Sequence, residues 1–495
     1  METSRPSRFS EPRIHELMQQ LQQSKLSRRG FIRSAVLLGL SVGAAEALAA
    51  CAGPSGPTAI PTPTYSAPVS APTNTPIVPS MEMEVQQHPS VPVVKEVPTY
   101  SPPATVVPPA PTATPVMWEG VAWSCPTCLQ QFASQDDLVQ HVLTGHTVKV
   151  PVPRRVDKPT YAQYLTDQLE RFDQRNHVFS RTMWDTEYQQ QLGAVTQRPS
   201  RATPAEIQAG AAMVAGAIYT DATAGSLVAG YGGYDGHLQG AKGLYSWDDD
   251  VNPLRYPVPD PAAMSEQIKA VARLYGADLV GICRLDQRWV YSHYFDMATA
   301  AYGQLEVPYQ YAIVMGLEMD FAQIRTSPGF GASAATAVKY SRMAEVAPKL
   351  AKYIRMLGYP AVPCGNDTAQ SIPLAIDAGL GELGRLGLLL TPEFGARQRL
   401  CKVLTDLPLV PDRPIDFGMQ RFCEMCLACA HVCPAQAIPR GERSTERTSI
   451  SNRPGIKRWH VNVGNCLLFW LSQGGVDCSN CIAACPWSFP LRPWL

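Results

Sequence analysis

The stretch C-E-M-C-L-A-C-A-H-V-C-P, residues 423–434, decides how the C-terminal part of this 495-residue chain folds. It places Cys423, Cys426, Cys429 and Cys433 in the spacing C-x2-C-x2-C-x3-C-P. A [4Fe-4S] cube is held by four thiolates, and a compact loop with this spacing delivers three of them to one cube. The spacing therefore predicts iron–sulfur chemistry and the transfer of single electrons.

A second cysteine run repeats the pattern with a longer first spacing, and its last cysteine again precedes a proline. In two-cluster ferredoxins the cysteine before the proline ligates the other cluster. This exchange predicts two ligand sets, which are Cys423, Cys426, Cys429 and Cys485 for the first cluster and Cys433, Cys466, Cys478 and Cys481 for the second. A disulfide framework is the alternative in an exported protein. Two matched runs that both end in Cys-Pro favour clusters instead.

The N-terminal residues 1–51 have the pattern of a targeting segment. Ser27-Arg28-Arg29-Gly30-Phe31-Ile32-Arg33 is a twin-arginine sequence, and an apolar run that is too short to span a membrane follows it. We expect export by the twin-arginine pathway to the outer face of the cytoplasmic membrane. Leu48-Ala49-Ala50-Cys51 resembles a lipobox, which would make Cys51 a lipid anchor. Ordinary cleavage nearby, with Cys51 incidental, is the alternative.

Residues 52–117 are rich in proline, with Thr, Ser, Ala and Val between the prolines. Such a composition cannot bury a core or sustain a helix, so it predicts an extended linker. This linker would hold the following residues away from the membrane.

A short module, residues 118–150, has the ligand spacing of a C2H2 zinc finger. Its predicted zinc ligands are Cys125, Cys128, His141 and His146, with Phe132 and Leu138 at the two core positions. The positions that would read bases are not basic, and Lys plus Arg equals Asp plus Glu at 42 each, so no nucleic-acid partner is expected. A docking role is the preferred interpretation, and a Cys125–Cys128 disulfide is the alternative.

The remaining chain has the composition of a mixed α/β (α+β) enzyme. Hydrophobic periodicity predicts a helix over residues 260–275 and buried strands over 277–284 and 311–318. One apolar helical face, from Met343 to Leu357, ends at Gly358. Short strands are predicted near residues 361–363, 387–390 and 403–405.

Four stretches carry a resemblance to a known family: I-R-M-L-G-Y-P at 354–360, G-N-D-T at 365–368, I-P-L-A-I-D-A-G-L-G-E-L-G-R at 372–385 and R-L-C-K-V-L-T-D-L-P-L at 399–409. Together with the leader and the cysteine runs, they resemble the reductive dehalogenases, which replace a carbon-bound halogen with hydrogen. The resemblance implies a nitroreductase-like core over residues 151–412 that binds a base-off cobamide. It also implies a ferredoxin-like two-[4Fe-4S] domain over residues 413–495.

The resemblance implies roles for several polar residues. Tyr340 would donate a proton to the dehalogenated carbon, Arg399 would stabilise the tyrosinate, and Asn366 would orient either group or contact the halide. Each has an ordinary structural alternative: packing for Tyr340, an Asx turn for Asn366 and a surface ion pair for Arg399. The other expected cofactor or pocket contacts are Thr336, Trp470, Gly379, Gly381 and Gly384.

As a reductive dehalogenase the protein would take an organohalide as substrate and act as a terminal reductase. Its expected partners are a small membrane anchor subunit and a respiratory electron donor or hydrogenase complex. Two other functions remain open: an epoxyqueuosine-reductase-like enzyme, or a non-catalytic iron–sulfur subunit. The twin-arginine leader and Tyr340, in place of an aspartate proton donor, argue against the former.

Overall fold

The computed structural model describes residues 123–124, 130–132, 137, 141, 152–196, 203–217, 250–295, 300–473 and 476–489. The predicted signal segment, the lipobox at Cys51, the proline-rich linker and three of the four predicted zinc ligands lie outside these residues. The described residues belong to one compact unit, so the predicted boundary at residue 412 falls between two parts that pack on each other. None of the helices within these described ranges has both the length and the apolar character needed to cross a membrane.

Three of the described strands are longer than four residues, and all three belong to the four-stranded central sheet. In chain order the strands are β1 (Trp123–Ser124), β2 (Gln131–Phe132), β3 (Arg154–Arg155), β4 (Leu279–Arg284), β5 (His293–Phe295), β6 (Tyr302–Gln304), β7 (Tyr311–Glu318), β8 (Ala361–Cys364), β9 (Glu382–Leu383), β10 (Leu389–Leu390), β11 (Gln398–Thr405) and β12 (Ile415–Asp416). The sheet order is β4-β7-β11-β8, and each neighbouring pair is antiparallel.

The described α-helices range from one turn to 27 residues. They are α1 (Val178–Arg181), α2 (Thr186–Thr196), α3 (Pro204–Ala217), α4 (Pro261–Leu274), α5 (Phe321–Ile324), α6 (Phe330–Met356), α7 (Ser371–Asp377), α8 (Met419–Met425), α9 (Ala428–His431), α10 (Val463–Ser472) and α11 (Asn480–Ala483). Single 3-10 turns cover Ala162–Tyr164, Gln174–Asn176, Gln287–Trp289 and Pro486–Ser488.

The sheet is covered on both faces, which explains why β7 is an almost continuous apolar run. Ile313 and Met315 pack with α4 and α6 on one side. Ala312 and Val314, whose side chains point the other way, pack with α7 and with Trp289. This alternation confirms the mixed α/β character predicted from the sequence.

Helix α6 ends where the sequence predicts. Gly358 has a φ of +84°, and a Cβ there would lie 2.6 Å from both Arg255 Cα and Leu254 O. The Tyr359 amide donates to Ile354 O at 3.3 Å, and the Gly358 amide donates to Arg355 O at 2.9 Å. This is the Schellman arrangement, in which a left-handed glycine satisfies the last carbonyls of a helix.

Buried arginines fasten the cysteine-rich part to the sheet. Arg397 pairs with Glu318 at 2.7 Å and donates to Met319 O at 2.6 Å and to Ser488 O. Arg385 stacks on Trp459, with 4.3 Å between Cζ and the ring centroid. Its guanidinium donates to backbone carbonyls of residues 423, 424, 439 and 441. The cysteine runs are therefore held rigidly against the core.

Helix α6 supplies a test of the core. We expect Leu350→Ala to lower the free energy of unfolding by about 2–5 kcal/mol, because a fully buried side chain is lost and the cavity refills only in part. Urea unfolding followed by circular dichroism measures the change.

The matched control is Lys349→Ala, which removes a half-exposed side chain that forms an ion pair with Glu345 on the same helix. Its effect should stay within about 0.5 kcal/mol. Equal effects of the two substitutions would contradict this account of the core.

Candidate active site

A large cavity lies between α6, the start of β11, the N-terminus of α7 and the segment around residues 456–458. Its volume is about 450 Å³. Sites for small ligands are usually about 300–1,000 Å³. The walls are mainly aromatic and aliphatic, and their charged side chains are Arg399, Arg458 and Asp477. The cavity therefore suits a mostly neutral ligand.

The three predicted catalytic residues meet at one end of this cavity. Asn366 Nδ2 donates to Tyr340 Oη at 3.0 Å. The Arg399 guanidinium lies over the Tyr340 ring, with 5.1 Å between Cζ and the ring centroid. An amide donor and a cation both favour the anionic form of a phenol. The arrangement therefore suits a tyrosine that gives up its proton.

Helix α6 presents Tyr340 and Thr336 on the same face, one turn apart, and both line the cavity. Arg399 Nη2 donates to Thr336 Oγ1 at 3.3 Å, whereas the buried Arg399 Nε has no hydrogen-bond partner. Thr336 thus fixes one edge of the guanidinium. An orphaned buried donor of this kind is costly unless a ligand engages it.

Asp477 is the acidic group of this end of the cavity, and the sequence prediction missed it. Burial raises its pKa to about 6, while the positive charge of Arg399 works in the opposite direction. Its backbone amide donates to Ser333 Oγ at 3.0 Å, which ties the residue to α6. Asp477 therefore partly offsets the charge of Arg399.

A second missed residue, Lys402, holds the loop that carries Asn366. Its fully buried Nζ donates to Gly365 O at 2.6 Å, to Asp367 O at 2.9 Å and to Ser371 Oγ at 3.2 Å. The two carbonyls flank Asn366 on either side. Lys402 is therefore a positioning residue that fixes the direction of the Asn366 side chain toward Tyr340.

The charges of Lys402 and Asp367 depend on each other. Burial lowers the pKa of Lys402 and raises the pKa of Asp367, and each charge counteracts the effect of burial on the other. Asp367 also accepts from the Gly365 amide and from Thr368 Oγ1, both at 2.7 Å. The loop is therefore satisfied internally and stiff, which is the condition for a preorganised site.

Aromatic groups form the opposite wall. Trp470 lines the cavity near Phe179, with 6.1 Å between ring centroids, and its buried Nε1 has no hydrogen-bond partner. His177 lines the same wall, and burial lowers its pKa to about 4, so it is neutral at neutral pH. These groups offer flat apolar surfaces with polar edges.

The eight cysteines of the two runs form two groups. Burial, and then the thiols of Cys426, Cys485 and Cys423, raise the pKa of Cys429. Burial, and then the thiols of Cys466, Cys478 and Cys433, raise the pKa of Cys481. We call Cys423, Cys426, Cys429 and Cys485 the first cysteine group and Cys433, Cys466, Cys478 and Cys481 the second. The predicted sets are thus brought together, and their ligation stays a prediction.

Within the described residues, no three His, Cys, Asp or Glu side chains are close enough to hold a single metal ion. All eight cysteines of the two groups are free thiols without disulfides. Burial disfavours the thiolate form of a cysteine, and ligation to a metal centre favours it, so bound clusters would offset the effect of burial on these thiols.

The second cysteine group adjoins the cavity. Cys466 and Trp470 are one turn apart on α10, and Asp477 directly precedes Cys478. Trp470 and Asp477 both line the cavity. An electron carrier held by the second group would therefore be separated from the cavity by very few side chains.

The three glycines predicted to approach a cofactor are explained by packing of the chain on itself. A Cβ at Gly379 would lie 2.4 Å from Arg413 O, and one at Gly381 would lie 2.1 Å from Leu390 O. A Cβ at Gly384 would lie 2.9 Å from Leu390 Cδ1. None of the three lines the cavity, so we do not carry this hypothesis forward.

Little of the predicted zinc module is described. The hairpin β1–β2 pairs Trp123 with Phe132 and Ser124 with Gln131. The rings of Phe132 and His141 lie 4.5 Å apart between centroids. Cys125, Cys128 and His146 lie outside the described residues, so the zinc prediction is not tested.

Known proteins resemble this chain in sequence and in structure. Residues 422–489 match the family model described as a 4Fe-4S dicluster domain. A tetrachloroethene reductive dehalogenase of Dehalobacter restrictus is 39% identical over 292 residues, which cover 50% of this chain and 53% of that protein. A tetrachloroethene reductive dehalogenase of Sulfurospirillum multivorans is 40% identical over 256 residues, covering 46% of this chain and 51% of that protein.

Over this region the chain is similar to proteins named tetrachloroethene reductive dehalogenase. It spans about half the length of the curated relatives it matches. A solved catabolic reductive dehalogenase in complex with 3-bromo-4-hydroxybenzoic acid is 26% identical, with a TM-score of 0.50. That match covers 68% of this chain and 44% of the solved one. The chain thus shares a mixed α/β fold with a reductive dehalogenase and carries a dicluster domain.

Sequence reasoning missed Asp477, Lys402, Arg458 and His177. Lys402 stands in the stretch R-L-C-K that carries the resemblance, three residues after Arg399, but its role depends on a strand register that the sequence does not display. The other three come from distant segments that only the folded chain brings to the cavity.

The two cysteine groups give a test of the exchange of ligands. We expect Cys485→Ser to remove the first cluster and Cys433→Ser to remove the second, so that each variant falls from about eight to about four irons per chain. Iron analysis and electron paramagnetic resonance of anaerobically prepared protein measure this.

Cys401→Ala is the control, because Cys401 is buried in the sheet outside both groups. It should retain about eight irons. If Cys485→Ser and Cys433→Ser lost the same cluster, the two groups would be wrong.

Proposed function

We propose that the protein is a reductive dehalogenase that removes halogen from an organohalide with electrons from two [4Fe-4S] clusters and a cobamide. The observation that carries the proposal is the meeting of Tyr340, Asn366 and Arg399 in a cavity that borders the second cysteine group. A non-catalytic electron carrier does not need this group of polar residues in a cavity.

The cavity fits a corrinoid in chemistry. Its walls are mainly aromatic and aliphatic, which suits a flat ring with neutral amide side chains. Trp470 and His177 would border this group, and no protein ligand to cobalt is required in base-off binding. When bound, a corrinoid supplies a low-valent metal centre able to break a carbon–halogen bond. We further propose that the surrounding α/β part is nitroreductase-like.

The reaction consumes two electrons and one proton per halogen. The carbon–halogen bond breaks, halide leaves, and a new carbon–hydrogen bond forms. In the proposed site the proton comes from Tyr340 Oη, and solvent later returns it. The Asn366 amide and the Arg399 guanidinium stabilise the tyrosinate that remains. Lys402 keeps Asn366 in place through the two carbonyls that flank it.

The clusters would deliver the electrons one at a time. The first cysteine group would hold the outer cluster of the relay, and the second group would hold the cluster next to the cavity. Support comes from the dicluster match at residues 422–489 and from the position of Trp470 one turn after Cys466. Such a relay suits a terminal reductase of organohalide respiration.

The leader and linker support a proposal about place and partners. A twin-arginine signal and a lipobox at Cys51 would bring the folded enzyme to the outer face of the cytoplasmic membrane. A small membrane anchor subunit and a respiratory donor or hydrogenase complex would then supply electrons. We propose no nucleic-acid partner, since the chain has no excess of basic residues.

Residues 118–150 are proposed to bind one zinc ion through Cys125, Cys128, His141 and His146. The contact of Phe132 with His141 supports this, because a finger packs its core aromatic beside a ligand histidine. We expect His141→Ala to lose about one zinc per chain while iron stays at about eight. Elemental analysis decides this, and zinc retained in full would contradict the ligand set.

Tyr340→Phe tests the catalytic proposal. We expect it to keep cobalt near one and iron near eight per chain and to lower turnover of a chlorinated alkene at least about 100-fold, the usual loss when a general acid is removed. Elemental analysis and halide release under anaerobic conditions measure the two quantities.

The matched control is Tyr353→Phe on the same helix, since the Tyr353 hydroxyl bonds Gln267. It should dehalogenate at the normal rate. Near-normal turnover by Tyr340→Phe would overturn the role of Tyr340. A well-matured wild-type protein with iron but no cobalt would instead favour a non-catalytic iron–sulfur subunit.

A further inference from the structure

Arg458 is a charged group of the cavity that the proposed chemistry does not use. It lines the wall beside Ile456, and the backbone there is fixed by a bridge in which Arg458 and Ser444 exchange hydrogen bonds of 3.0 and 2.9 Å. The Lys457 amide also donates to Tyr164 O at 2.8 Å. The side chain therefore starts from a rigid position on the cavity wall.

The guanidinium has one side-chain partner, and that partner is neutral. Arg458 Nε donates to His460 Nδ1 at 3.4 Å, and the other His460 nitrogen lies 3.2 Å from Ile456 O. Burial, and then the charge of Arg458, lower the pKa of His460 to about 4. His460 can therefore orient Arg458 at neutral pH, but it does not balance its charge.

No carboxylate among the described residues forms an ion pair with Arg458, unlike Arg181, Arg397 and Arg443, each of which has one. Burial lowers the pKa of Arg458 to about 10, and no neighbouring acid counters this. Asp477, the acidic residue of the cavity wall, acts on Arg399 instead.

The nearby Arg453 is satisfied in a different way. Its guanidinium donates to Glu170 O at 2.7 Å, to Gln370 Oε1 at 3.0 Å and to Arg288 O, and it stacks on Trp289. Protein groups therefore already use the hydrogen-bond donors of Arg453, whose role is structural. Arg458 keeps donors for a ligand, and its charge calls for an anion because an uncompensated cation in a buried site is strongly unfavourable.

We infer that Arg458 binds the phosphodiester of the nucleotide loop of the cobamide. This inference rests on the proposed function. The corrin side chains are neutral amides, so the phosphodiester is the anionic group that a cobamide brings into the cavity. Its oxygens match the planar fork of a guanidinium, which binds phosphate through paired N–H donors. A carboxylate on the substrate is the other source of an anionic oxygen, and the experiment separates the two.

The test compares two corrinoids that differ in the nucleotide loop. The full chain, carrying its clusters and purified without corrinoid, is titrated anaerobically with hydroxocobalamin and with cobinamide, which lacks the phosphodiester and the base. Visible absorbance follows binding. We expect Arg458→Met to weaken cobalamin binding about 10- to 100-fold, as for the loss of charge-assisted hydrogen bonds. Cobinamide binding should not change, which also shows that the variant is folded.

Two further variants sharpen the result. Arg458→Lys keeps the charge without the fork and should lose less affinity for cobalamin than Arg458→Met. Lys457→Met removes an exposed cation from the adjacent position and should bind both corrinoids as the wild type does.

The outcomes separate this inference from the proposed function. If the wild type binds neither corrinoid, the cobamide part of the proposed function fails, and the inference fails with it. If the wild type binds both and Arg458→Met weakens neither, or both equally, the function stands and the inference is overturned. Unchanged corrinoid binding with a raised KM only for carboxylate-bearing organohalides would assign Arg458 to the substrate and also overturn it.

Discussion

The register of β11 (Gln398–Thr405) is the constraint on which the site depends. The strand is paired on both sides, with Arg399 opposite Leu317 of β7 and Lys402 opposite Cys364 of β8. Side chains alternate along a strand, and Arg399 and Lys402 are three positions apart, so they point to opposite faces. Arg399 reaches α6 and the Tyr340 ring, whereas Lys402 reaches Ser371 at the start of α7. A shift of the β11 register by one residue would turn each side chain to the opposite face of the sheet. Arg399 would then lose its contact with Tyr340, and Lys402 would lose its contact with Ser371.

The register is secure because both faces of β11 are buried. Cys401 and Val403 belong to the core on the α6 side, and Leu400 and Leu404 belong to the core on the α7 side. A slip would leave the small and large apolar groups facing the wrong layers and would bury Lys402 among α4 and α6. The positions of Arg399 and Lys402 are thus fixed by ordinary hydrophobic packing.

Much of this architecture could be predicted from the sequence, and the successes share a cause. The helix at Pro261–Leu274, the strand Tyr311–Glu318 and the helix end at Gly358 each follow from local periodicity or from one glycine. The β11 strand was predicted only from Val403 to Thr405, because the residues before Val403 include Arg399 and Lys402 and do not have the pattern of a buried strand. Polar residues that a function requires weaken the very pattern that predicts the element.

The residues of the site also fall into those that the sequence predicted and those that it did not. Tyr340, Asn366 and Arg399 were found through the family resemblance, and the structure brings them together. No sequence motif marks Asp477 or Arg458, because their importance depends on the residues that the fold brings next to them. The three glycines of residues 379–384 were predicted from a composition that suits close approach, but their neighbours turned out to be backbone and leucine atoms of the chain itself. A glycine-rich stretch shows that something comes close without showing what it is.

The charges of the cavity are distributed unevenly, and this bears on how a reaction is organised there. At the Tyr340 end, the negative charge of Asp477 partly balances the positive charge of Arg399. The guanidinium lies over the Tyr340 ring and can stabilise a tyrosinate that forms there. At the Arg458 wall the charge has no acidic counterpart among the described residues. A neutral substrate gains little from Arg458, and a ligand with one fixed negative charge gains much. The two ends of the cavity therefore favour different ligand groups, an anionic one at Arg458 and a neutral one near Tyr340.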